Sequence, residues 1–187
     1  MKLVTVRHAY SLSNENHINA SIDENFCGGL SKKGIEQSKL LVKDLMQYDF
    51  DKIITSPLMR TIQTITPYIK KRGYIGPILK LPLVTERDLG DLIGSIQGTV
   101  ATFQNEHNVT NYVDWQPPNG ESVVMVYQRA QDFIIYLQKT FPDQSTILLC
   151  SHSVFLKSLD IAIKKLDIQD FYEYKEFDNC EVNTYTF

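Results

Sequence analysis

The chain has 187 residues, of which 43% are hydrophobic and 22% charged, with a formal net charge of −3. That is the size of a single domain, 1–187, able to bury a proper core, and the acidic balance excludes broad electrostatic binding to nucleic acid or an anionic membrane. Cys27, Cys150 and Cys180 are odd in number and lack CxxC spacing, which excludes a disulfide framework, and the N-terminus has no apolar signal region, so the expected compartment is the cytoplasm.

Residues 2–7 read as a strand whose apolar run stops at Arg7-His8. Residues 9–29, rich in Ser, Asn and Gly, read as a loop. Ser31 is an N-cap for a helix reaching about Tyr48, with Ile35, Leu41, Val42, Leu45 and Met46 as its apolar stripe. Its Lys32, Lys33, Glu36, Lys39, Lys43 and Asp44 read as a solvated face. A strand at 52–55 is followed by a helix from Pro57, suited to the first helical position, to about Arg72, with Gly73 past its end. A short strand is expected near 78–81. Residues 86–120 read mostly as loop with a helical stretch around 97–107, and PPNG at 117–120 is a turn. A helix over about 121–140 leads to TILLC at 146–150, a continuous apolar run typical of a central strand. That strand ends at Ser151-His152, and a helix runs on to about Lys165. Residues 181–187 alternate as a half-buried edge strand.

Strands alternating with helices predict an α/β fold: a three-layer α/β/α sandwich, its central sheet mostly parallel and covered on both faces. Ligands of such sheets bind at the carboxyl ends of the strands. Two strands deliver a histidine there, His8 and His152; if those strands are neighbours, both imidazoles face one crevice. Ser56-Pro57 opens a helix carrying Arg60 in its first turn. Arg7, His8, Arg60, Glu86 and His152 then form a constellation suited to phosphoryl transfer. Two arginines offer forked donors to phosphate oxygens. A neutral histidine can attack phosphorus, a carboxylic acid can protonate the leaving oxygen, and a second histidine can steady the equatorial oxygens. Four histidines with neither HExxH nor CxxC predict no metal centre and no cofactor; His17 and His107 read as surface residues and Cys150 as a packing residue.

The chain resembles the histidine phosphatase superfamily of phosphoglycerate mutases and their phosphatase relatives. RHAYSLSN at 7–14 is similar to its RHG motif with a downstream Asn, and LSKKGIEQ at 30–37 to its LSxxGxxQA. SPLMRTIQT at 56–64 is close to SPxxRAxQT, and TERDLGDLIG at 85–94 resembles its segment of Glu, Arg, Asp and two Gly. PPNGES at 117–122 and NCEV at 179–182 are similar to PGGES and NCSV, and SHS at 151–153 stands where the family has SHG, all in the family's order. The resemblance implies His8 as nucleophile, Arg7, Arg60 and His152 as the phosphoryl cradle, Asn14 as an added hydrogen bond, and Glu86 as general acid. Catalysis also requires an unprotonated nitrogen on His8, favoured by the flanking arginines, and an acceptor for its other nitrogen.

Departures from the pattern are Ala9 and Ser153, each standing where the family has Gly, and Tyr10, which replaces Glu or Gln. Ala9 and Ser153 add side chains where backbone approaches the phosphate, and Ser153 offers a hydroxyl donor. Tyr10 is expected as an aromatic wall at the pocket mouth. Arg87 is expected either to meet a second anionic substituent or to pair with Asp88 or Asp91. Residues 95–120 are expected as an active-site cap, with Phe103, Tyr112 and Trp115 as an apolar lid wall. They contain no Lys or Arg, so a doubly anionic phosphoglycerate finds little to grip. The expected activity is therefore hydrolysis of a phosphorylated small molecule or a phosphoprotein. A mutase-like phosphotransferase and a silent phospho-ligand binder are the alternatives.

Overall fold

The computed structural model describes residues 1–187. Five strands, β1 (Lys2–Arg7), β2 (Lys52–Thr55), β3 (Ile78–Lys80), β4 (Thr146–Ser151) and β5 (Val182–Thr186), form one sheet in the order β3-β2-β4-β1-β5. The pairs β1–β4, β2–β4 and β2–β3 are parallel, and β5 closes the β1 edge antiparallel. Seven helices accompany it: α1 (Leu12–Glu15), α2 (Glu24–Cys27), α3 (Lys32–Leu45), α4 (Met59–Arg72), α5 (Thr99–Glu106), α6 (Val123–Thr140) and α7 (Ser153–Lys164). None is long and apolar enough to cross a membrane.

The pleat sends alternate side chains to opposite faces. Leu3, Ile54, Ile147 and Leu149 join Val126, Phe133 and Phe155 of α6 and α7 in one core. Val4, Val6, Ile53, Leu148 and Cys150 join Leu41, Leu45, Ile65 and Tyr68 of α3 and α4 in the other. The expected α/β layering follows. β4 is covered on both sides, which is why its sequence does not alternate. Each fully buried Leu or Ile contributes about 1.5–3 kcal/mol.

Helix ends obey local chemistry. The Gly34 N–H donates to Ser31 Oγ, the Met125 N–H to Ser122 Oγ, and α4 stops at Gly73 in the left-handed region (φ 67°). Three details differ from the sequence reading. Ile35 is 45% exposed, because the buried face of α3 is Gly34, Ser38, Leu41 and Leu45. Gly34 packs directly on the Tyr10 carbonyl, a position any Cβ would overlap. Helix α4 begins at Met59, not Pro57, since the Leu58 N–H donates back to Ser56 Oγ and holds 56–58 as a turn. The 9–29 loop contains α1 and α2, capped by Ser11 and Asp23.

Candidate active site

Sheet order assembles the site. Because β1 and β4 are parallel neighbours with Arg7 opposite Ser151, the residues just past both strands emerge side by side. The His8 N–H donates to the Ser151 carbonyl at 2.9 Å, and the rings of His8 and His152 lie with centroids 5.2 Å apart. On the far side of β4 lies β2, and the first turn of α4 that follows it delivers Arg60. Arg7, His8, Arg60 and Glu86 line one cavity of about 340 Å³, with Asn14 and Ser153 also in its wall.

The two imidazoles are held in opposite tautomers. His8 Nδ1 lies 2.8 Å from the Ala9 carbonyl, an acceptor only, so Nδ1 carries the proton and Nε2 keeps its lone pair. His152 Nδ1 accepts from Arg60 Nε at 3.1 Å, so its proton sits on Nε2. Burial, reinforced by Arg60 and then Arg7, holds His8 well below the usual imidazole range. Burial, then Arg60 and His8, does the same for His152. Three buried groups around this point have no partner in the chain: Arg7 Nε, Arg60 Nη1 and His152 Nε2–H. Orphaned donors at this density are costly unless an acceptor arrives. A tetrahedral oxyanion group supplies such acceptors.

Backbone ties fix the cradle. Arg60 Nη2 donates to the Ser21 carbonyl at 2.7 Å, and Arg7 Nη1 donates to the Phe177 carbonyl. The Ala9 N–H donates to Thr64 Oγ1, which donates in turn to the Arg60 carbonyl. Asn179 Nδ2 donates to the His8 carbonyl at 2.7 Å. Thr64 and Asn179 lie inside the SPLMRTIQT and NCEV segments, so their signal was present in the sequence although no role was attached to them. Arg129 was not singled out. Its guanidinium grips both Glu121 oxygens at 2.8 Å and donates to the carbonyls of Leu83, Thr85 and Glu86.

Glu86 keeps its carboxylate at the cavity, with Oε1 accepting from the Arg87 N–H. Asn14 uses Oδ1 to accept from the Ser11 N–H, leaving its NH₂ for the cavity. Ala9 is fully buried outside the cavity wall and has negative φ, so its methyl neither narrows the pocket nor strains the chain. Tyr10 is not in the wall. Its hydroxyl donates to the Asn14 carbonyl and its ring lies 4.3 Å from Lys33 Nζ, turned toward α3. Arg87 reaches the wall, but its Nε and Nη2 donate to the Glu121 and Trp115 carbonyls rather than to Asp88 or Asp91. Phe103, Tyr112 and Trp115 also miss the wall. Phe103 stacks on His107 and packs on Trp115, and Tyr112 meets Tyr172, while Gln97 and Val100 line the cavity instead. His17 and His107 are exposed, and Cys150 is buried in the core.

A family model described as the histidine phosphatase superfamily (branch 1) matches residues 3–187. Phosphoserine phosphatase 1 of Hydrogenobacter thermophilus is 28% identical over 180 residues, covering 93% of this chain and 81% of that protein. The 2,3-bisphosphoglycerate-dependent phosphoglycerate mutase of Bartonella quintana is 28% identical over 182 residues, covering 90% and 84%. Among solved structures, a mycobacterial glucosyl-3-phosphoglycerate phosphatase superposes with a TM-score of 0.82 at 20% identity, covering 98% of this chain and 88% of that one. The alpha-ribazole phosphatase of Shigella flexneri gives 0.80 at 22%, covering 98% and 89%. At these identities the two structures speak for the fold.

Proposed function

The chain belongs to the histidine phosphatase superfamily, and from that premise we propose that it is a metal-independent phosphatase hydrolysing phosphomonoesters, or a phosphoprotein, through a phosphohistidine at His8. The observation that carries this reading is the pair of opposite tautomers. His8, in the cavity wall, keeps a free Nε2 lone pair, and His152, buried beside it with ring centroids 5.2 Å apart and outside the wall itself, carries an unpartnered Nε2–H.

In the first step His8 Nε2 attacks phosphorus and the bond to the leaving oxygen breaks. Arg7, Arg60 and His152 hold the three equatorial oxygens with the donors that have no partner in the chain. Asn14 adds a donor, and Ser153, at the start of α7, adds its hydroxyl. Protonated Glu86 gives its proton to the leaving oxygen. In the second step water attacks the phosphohistidine, loses its proton to the Glu86 carboxylate, and phosphate leaves with His8 restored. Each cradle donor is worth about 3–4 kcal/mol in such a site.

Residues 1–187 act as one catalytic domain, with 95–120 as its cap. Hydrolysis is favoured over a mutase reaction by what that cap puts in the wall, the uncharged Gln97 and Val100. The cations of the cavity, Arg7, Arg60, Arg87 and Lys157, come from other segments, so this side offers no grip for a second anionic group. The test is hydrolysis of p-nitrophenyl phosphate with and without a chelator. Turnover unaffected by chelator and abolished by His8→Ala supports the reading, as does an acid-labile phosphoenzyme on quenching. Turnover that survives His8→Ala overturns it.

A further inference from the structure

Beyond the cradle, the cavity wall holds one ion pair, Lys157 of α7 and Glu176 of the segment before β5; the other cation there, Arg87, is tied through Nε and Nη2 to backbone carbonyls. Their heads meet at 2.6 Å. The two ends differ. The Lys157 side chain is 1% exposed and its ammonium lies 4.4 Å from the Phe171 ring centroid, whereas Glu176 is 73% exposed. A buried ammonium with three donors has only one of them taken by Glu176. The second Glu176 oxygen makes no hydrogen bond within the chain and faces solvent. Arg7, His8, Lys157 and Glu176 line the same cavity, and Glu176 acts favourably on the Arg7 charge.

These charges discriminate. A second purely anionic group would find Lys157 but meet the Glu176 carboxylate, and a purely cationic group would meet the Lys157 ammonium. A substituent bearing both signs on one carbon can oppose each head with its complement and desolvate neither alone. Resting on the phosphatase reading above, we propose that Lys157 and Glu176 form a subsite for a zwitterion, and that the substrates are phosphomonoesters of small free amino acids, carboxylate to Lys157 and ammonium to Glu176.

Three compounds of matched shape test this. O-Phosphoserine carries both charges, D-3-phosphoglycerate replaces the ammonium with a hydroxyl, and O-phosphoethanolamine lacks the carboxylate. The expected kcat/KM for O-phosphoserine exceeds that of each of the others by about tenfold or more, the value of one charge-assisted hydrogen bond. Lys157→Met should collapse the preference over O-phosphoethanolamine, and Glu176→Gln the preference over D-3-phosphoglycerate. Each preference is a ratio within one preparation, so partial misfolding of a variant does not move it. Equal kcat/KM values, a preference for D-3-phosphoglycerate, or preferences that survive both substitutions overturn the subsite. So does equal turnover of N-acetyl-phosphoserine amide, which would point to phosphorylated polypeptide. Hydrolysis of p-nitrophenyl phosphate without discrimination sinks the subsite and leaves the phosphatase reading standing; no turnover of any compound sinks both.

Discussion

Arg60 Nε donates to Nδ1 of His152 at 3.1 Å, and that one bond decides which histidine in the site can donate. It commits the His152 proton to Nε2, where nothing in the chain receives it. The arginine thus sets the tautomer of a neighbour as well as offering its own free Nη1. The opposite bond, His8 Nδ1 to the Ala9 carbonyl, makes its neighbour an acceptor. Two identical side chains, just past the ends of neighbouring strands, take complementary roles because one ring meets a backbone carbonyl and the other the Arg60 side chain.

Replacing His152 with Phe keeps an aromatic ring in a fully buried position but removes the Nε2–H donor. The kcat for p-nitrophenyl phosphate should fall by about 10²–10³. His152→Gln, which presents both an acceptor for Arg60 and a donor for the cavity, should keep part of that rate. Steady-state kinetics on the two variants, with circular dichroism to confirm folding, checks this. Equal rates in the wild type and His152→Phe would remove His152 from the cradle.

Stability should depend on pH through the same two histidines. Both are held neutral in the fold, well below the ordinary value of 6.5. Below that value the unfolded chain takes up protons that the folded chain refuses, so the stability present above it is lost as the pH falls toward the depressed folded values. Each histidine contributes a slope of up to about 1.4 kcal/mol per pH unit. Urea midpoints should drop between about pH 7 and about pH 5, and drop less in His8→Gln. A wild-type midpoint that is flat over this window would contradict the burial argument.

Arg129 should act on catalysis without touching substrate. It ties Glu121 to the carbonyls of Leu83, Thr85 and Glu86, and Glu121 Oε2 accepts from the Asp88 N–H, so the backbone on both sides of Glu86 hangs on one guanidinium. Arg129→Met should misplace the general acid. An alkyl phosphate needs a proton on its leaving oxygen, whereas p-nitrophenolate leaves without one. The variant should therefore lose about tenfold or more in kcat for an alkyl phosphate and much less for p-nitrophenyl phosphate. Equal losses on both substrates would mark Arg129 as a purely structural residue.

Legibility in the sequence followed the range of the interactions. The breaks from apolar run to Arg7-His8 and to Ser151-His152 are local, and so is the cap Ser31; each was readable because a strand end or helix start is set by neighbours in the chain. Ile35 was misplaced because Gly34, packed on the Tyr10 carbonyl, rotates the buried face of α3 toward its smallest residues. Periodicity counts apolar side chains and is blind to a helix that seats on backbone.

The sequence alone determined which residue types stand at the strand ends, which helices follow them, and the family in which that pattern falls. Only the tertiary structure decided their partners. It placed β1 beside β4, which brought His8 to His152, and it chose each tautomer through Ala9 and Arg60. It turned Tyr10 away to α3, spent Arg87 on backbone carbonyls, and joined Lys157 to Glu176 at the cavity. Strand ends are fixed by a few adjacent residues. A proton's position, or the choice between binding substrate and holding a loop, depends on whichever distant group the closed sheet brings within about 3 Å.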